Sequence, residues 1–155
     1  MPVSATSTAE DPSPVAESSR NSRLFRVFCG LRDLEAEIRV SQGVTACDTD
    51  SEALLHGTRG LALAAQATGY YAYGCLCLNL AEQIEELRYE GHSSKIYVSR
   101  LNLWVEHSSR YLRQPADPFY AMVLLEALEH PLWGAPLDRV EKEVLYLALL
   151  ANNWA

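Results

Sequence analysis

The chain has 155 residues, a formal net charge of −7 and an apolar fraction of 48%. That length suits one domain with a core of ordinary size, and that apolar content excludes a chain disordered throughout. The acidic balance, with no basic run, excludes nucleic acid as the default partner, because phosphate binding requires clustered Lys and Arg.

Residues 1–21 are rich in Ser, Thr, Pro and Ala with scattered acids, and they predict a disordered tail ahead of a single domain over 22–155. The segment has neither the basic nor the apolar region of a secretory signal. Four cysteines without such a signal point to reduced thiols and a cytoplasmic protein. No apolar stretch approaches the ~18 residues of a membrane span, so no membrane partner is expected.

From Ser22 the periodicity is helical. Leu24, Val27, Phe28, Leu31, Leu34 and Ile38 recur at three- and four-residue steps, with Gly43 as a stop. Asp48 or Asp50 can cap a second helix that runs to Gly69. A third, from about Tyr70 to Gly91, keeps Tyr70, Tyr73, Cys77, Leu80, Ile84 and Leu87 on one helical stripe. A fourth, from about Ser93 to Arg113, buries Tyr97, Leu101, Trp104, Val105, Ser108, Tyr111 and Leu112. After "QPADP" comes a fifth, "PFYAMVLLEALEH". A sixth begins at Pro136, with Leu137, Val140, Val144, Leu147 and Leu150 as its core residues. Nothing alternates with period two. The fold class is all-α, an antiparallel bundle of about six helices.

The second helix holds the stretch that invites a functional reading, "SEALLHGTRGLALAAQATG". At 100° per residue, Leu54, Thr58, Leu61 and Ala65 lie opposite His56, and Glu52, Arg59, Gly60, Leu63 and Ala67 lie within about 60° of it. His56 therefore faces outward. An exposed imidazole offers a neutral nucleophilic nitrogen near neutral pH. Arg59, one turn on, can stabilise a phosphoryl group through charge-assisted hydrogen bonds. Glu52 can accept from the second ring nitrogen. Gly60, which costs helix propensity, clears space for an approaching protein, and Leu63 and Ala67 supply apolar docking surface.

"HGTRGLALAA" resembles the His-x-x-Lys/Arg-Gly-x-Ala/Ser signature of histidine phosphotransfer domains, including the phosphotransfer module of chemotaxis-type histidine kinases. "GCLCLNLAEQIEELRYEG" resembles that family's next helix. The resemblance spans about residues 22–113. It implies a four- or five-helix bundle and a two-component phosphorelay role; the two helices after Pro118 lie outside that minimal four-helix core. In that role His56 accepts and donates phosphate, with Arg59 and Gly60 in the basic and small positions. It also implies a response-regulator receiver domain or a histidine kinase as partner. No nucleotide-binding glycine loop is present, so the expected role is that of an intermediate without kinase or ATPase activity, and no cofactor is expected. The alternative is a non-catalytic helical adaptor or scaffold, a degenerate relative of that family included, that binds a protein through the second-helix face or the C-terminal helices.

Other groups carry weaker signals. Cys75 and Cys77 lie on opposite sides of a helix and cannot aim at one metal. Cys77 belongs to the apolar stripe, which leaves Cys75 for any thiol chemistry. His92, His107 and His130 form no His-Glu-x-x-His pair. "EQIEELRYE" reads as a charged helical face with Glu–Arg pairing along it.

Overall fold

The computed structural model describes the backbone of residues 14–42, 48–134 and 137–151, and side chains from residue 21 onward apart from 43–50, 135–136 and 152–155. Among the described residues there are six α-helices and no strand: α1 (Pro14–Ser41), α2 (Asp48–Ala67), α3 (Tyr71–Tyr89), α4 (Val98–Arg113), α5 (Pro118–Leu128) and α6 (Arg139–Ala151). No helix is long and apolar enough to cross a membrane.

Helix α1 begins eight residues earlier than the sequence predicts, so residues 14–21 of the expected tail are helical. Pro14 is well placed there, since the first helical residue needs no N–H partner. Gly43, the side chains of Asp48 and Asp50, and Pro136 lie outside the described residues.

Close approach sets the packing of the first three helices. A methyl group at Gly57 would lie 3.1 Å from Leu34 Cδ1, and one at Gly30 would lie 3.4 Å from Leu61 Cα. The crossing of these two pairs makes α1 and α2 antiparallel. On the other flank of α2, a methyl at Gly74 would fall 2.6 Å from Gln66 Cγ and 3.1 Å from the Ala62 carbonyl oxygen. The sharp reversal between α2 and α3 rests on Gly69, whose φ of 94° is open to glycine at no steric cost. There Tyr70 N–H donates to the Ala65 carbonyl at 2.8 Å, completing a glycine-terminated helix end.

Helices α3 and α4 meet through aromatic rings. Tyr73 stacks on Trp104 at 6.2 Å between centroids and on Tyr111 at 5.9 Å. All three rings are buried. Helix α1 packs on α4, α5 on α4, and α6 on both α5 and α3. The C-terminal pair is therefore built into the bundle, filling the side where bulky rings hold α3 and α4 apart. Lys142 ties α6 to Glu129 at 2.9 Å, and the Tyr111 hydroxyl donates to the Leu149 carbonyl at 2.6 Å. That carbonyl belongs to the last turn of α6, where no intrahelical donor is available.

Helix α6 departs from the sequence expectation. Val140, Val144 and Leu147, predicted as core, are exposed, and Leu149 is fully buried with Leu145, Tyr146 and Leu150 packed beside it. The segment is apolar almost all round in its second half, so periodicity alone leaves two candidate inner faces. The contacts with α5 and Tyr111 choose between them. Accordingly, Leu149→Ala is expected to cost about 2–5 kcal/mol in urea unfolding, whereas Val144→Ala is expected to change stability by no more than ~0.5 kcal/mol.

Candidate functional site

Helix α2 shows water the face that the helical wheel assigns to it. Leu54, Thr58, Leu61 and Ala65 are fully buried. Glu52, His56, Gly60, Leu63 and Ala67 are exposed, Leu63 by 62%. The buried Thr58 hydroxyl donates to the Leu54 carbonyl at 2.8 Å, so its polar group is satisfied within the helix.

The two glycines beside His56 have different causes. Gly57 is a packing residue set against Leu34 of α1. Gly60 faces open space: a methyl group there would meet no atom within 4 Å. Nothing in the bundle requires Gly60 to be small. Gly60→Ala is therefore expected to raise stability by about 0.5–1 kcal/mol through helix propensity. Gly57→Ala should gain less or lose, because its methyl presses on Leu34; thermal denaturation of both variants checks the order.

The charges around His56 are arranged differently from the sequence expectation. Arg59 donates from its guanidinium to Glu85 of α3 at 2.6 Å. Glu52, expected to accept from the imidazole, pairs instead with Arg88 of α3 at 3.6 Å. Each helix thus contributes one acid and one base, and the pairs cross between α2 and α3 on either side of the level of His56. All four side chains remain substantially exposed, so each pair contributes at most about 1 kcal/mol to stability. Their consequence is positional: two guanidiniums are held on the α2–α3 surface by carboxylates of the facing helix. Among the described residues, His56 itself has no hydrogen bond or ion pair.

Glu85 and Arg88 were not singled out in the sequence. The "EQIEELRYE" segment does contain Glu–Arg pairing, but the partners lie across the helix–helix seam and not along α3. The available signal was an acid and a base on each helix, Glu52 with Arg59 and Glu85 with Arg88, which becomes meaningful only once the antiparallel register is known.

The remaining candidates resolve into local roles. His130 caps a 3-10 turn (Pro131–Trp133), its Nδ1 accepting from Leu132 N–H at 3.2 Å. His92 lies 3.3 Å from Glu90. His107 is partly buried, and desolvation lowers its pKa, with Glu106 opposing the shift and Arg110 reinforcing it. No group of three or more potential metal ligands occurs among the described residues.

The three described cysteines are free. Cys77 is fully buried beside Tyr73 and Trp104, and burial pushes its thiol up to about 12. Cys75 is exposed. Iodoacetamide is expected to label Cys75 in the native protein and Cys77 only after unfolding, as mass spectrometry of the tryptic peptides would show.

Comparison with known protein families, curated proteins and solved structures gives no match.

Proposed function

We propose that the chain is a histidine phosphotransfer protein in a phosphorelay, carrying a phosphoryl group on His56 between receiver domains. The observation that carries this reading is an exposed imidazole, free of internal partners, beside a glycine that faces open space. A visiting domain can reach the ring without displacing any side chain at position 60.

The chemistry needs little from this chain beyond position and charge. The unprotonated imidazole nitrogen attacks the phosphorus of the partner's aspartyl phosphate. The P–N bond forms as the acyl P–O bond breaks, the aspartate leaves with the electron pair, and the proton on the second ring nitrogen passes to water. The aspartate and its Mg²⁺ belong to the partner. The phosphoryl group brings negative charge to a surface where Arg59 and Arg88 are each held by a single carboxylate. A phosphate dianion competes well for a guanidinium, since such bonds are short, charge-assisted and often bidentate. In this reading Arg59 passes from Glu85 to the phosphoryl group, and Leu63 and Ala67 form apolar surface for the receiver.

The pairing of Arg59 with Glu85 also favours a second reading, a helical adaptor that docks a protein on the same face without chemistry, because it leaves that guanidinium already neutralised. Incubation with phosphorylated receiver domains separates the two. Phosphotransfer predicts an acid-labile, base-stable phosphate on the chain that His56→Gln abolishes with the helical circular dichroism unchanged. Leu63→Asp should slow transfer about tenfold, the effect of ~1.4 kcal/mol of lost docking. An adaptor would show no such phosphate and would bind its partner equally well after His56→Gln.

A further inference from the structure

Helices α1 and α4, neither of which carries His56 or its charged neighbours, enclose a groove of about 460 Å³. Its floor is apolar, formed by Leu31 and Val105. Its two ends differ in charge. At one end Glu35 pairs with Arg39 and Glu106 with Arg110, each at 2.8 Å, so the acids are neutralised along their own helices. At the other end Arg32 and Arg113 are exposed and have no carboxylate partner among the described residues. Arg113 stands over the Phe28 ring, 5.9 Å from its centroid. A second concavity of about 210 Å³ continues from there over Phe28 and Phe25, again lined by Arg32 and Arg113. Phe25 is 64% exposed.

Two guanidiniums without a carboxylate partner among the described residues thus line one concavity together with the exposed Phe25. A guanidinium next to an apolar wall binds a carboxylate more strongly than one in open water, and the aromatic rings accept an apolar anchor. From Phe25 to Glu35 the groove follows ten residues of α1, about 15 Å, which is the length of two to three turns of helix.

A nucleic-acid backbone carries a charge at every nucleotide and cannot confine it to the arginine end, whereas a helix can set its carboxylates on Arg32 and Arg113 and apolar residues beyond them.

We propose that the α1–α4 groove docks an acidic helical segment of a partner protein, its carboxylates on Arg32 and Arg113 and an apolar side chain against Phe25 and Phe28. The test is a titration of the ¹⁵N-labelled full chain with three probes. One is a synthetic peptide of about three helical turns with Glu and Leu on one face. The second is the same peptide with Gln for Glu, and the third is a single-stranded oligonucleotide of equal charge. Saturable shifts over Phe25–Glu35 and Asn102–Arg113 are expected with the Glu peptide alone. Arg32→Glu with Arg113→Glu should weaken binding at least tenfold, and Phe25→Ser should weaken it independently. Both Arg side chains are exposed, so the variants should keep the wild-type circular dichroism. A flat titration, shifts that survive the charge reversal, or equal binding of the Gln peptide or the oligonucleotide would overturn the proposal.

Discussion

Helix α2 is clamped by close approach on both flanks, and its roll about its own axis follows from that clamp. Leu34 of α1 presses on Gly57, and Gln66 and the Ala62 carbonyl press on Gly74 of α3. A rotation of α2 large enough to bury His56 would drive side chains into both contacts and expose Leu54, Leu61 and Ala65, which are now fully buried. Burial of three such side chains is worth several kcal/mol. The outward direction of the imidazole is thus a consequence of packing, with no contact of its own to hold it.

The aromatic seam between α3 and α4 has the complementary effect. Tyr73, Trp104 and Tyr111 are too bulky to let the two helices approach as α1, α2 and α3 do. The gap they prop open is closed by α5 and α6, and the Tyr111 hydroxyl bonds to the end of α6. Burial raises the pKa of Tyr73 and of Tyr111, so both stay neutral and remain compatible with the core. The C-terminal helices stand on the far side of the bundle from the α1–α2 contact, so they complete the core without covering the face that carries His56.

The paired charges across α2 and α3 add little to stability, because all four side chains are substantially exposed. Exposed ion pairs of this kind are easily exchanged. A surface on which two guanidiniums rest on carboxylates is neutral until a stronger anion arrives, and can then present positive charge with only side-chain rotation. The imidazole of His56 is a different sort of group: among the described residues no neighbour engages it, and in the proposed phosphorelay it is the nucleophile.

Much of this was legible from the residues. The helical period, the stops at Gly69 and Gly91, the inner faces of α2, α3 and α4, and the exposure of His56, Gly60 and Leu63 follow from 3.6-residue spacing and from the conformations open to glycine. These properties are local, so a linear chain encodes them directly. Three features needed the tertiary structure. Arg59 and Glu52 found partners in Glu85 and Arg88, because charged side chains long enough to cross a helix seam choose among neighbours that only the register supplies. Gly57 and Gly60 separated into a packing residue and an open one, because a missing side chain reads the same in sequence whichever lies beside it. And α6 turned Val140, Val144 and Leu147 outward, because a helix apolar on two sides has no preferred inner face until its neighbours provide one.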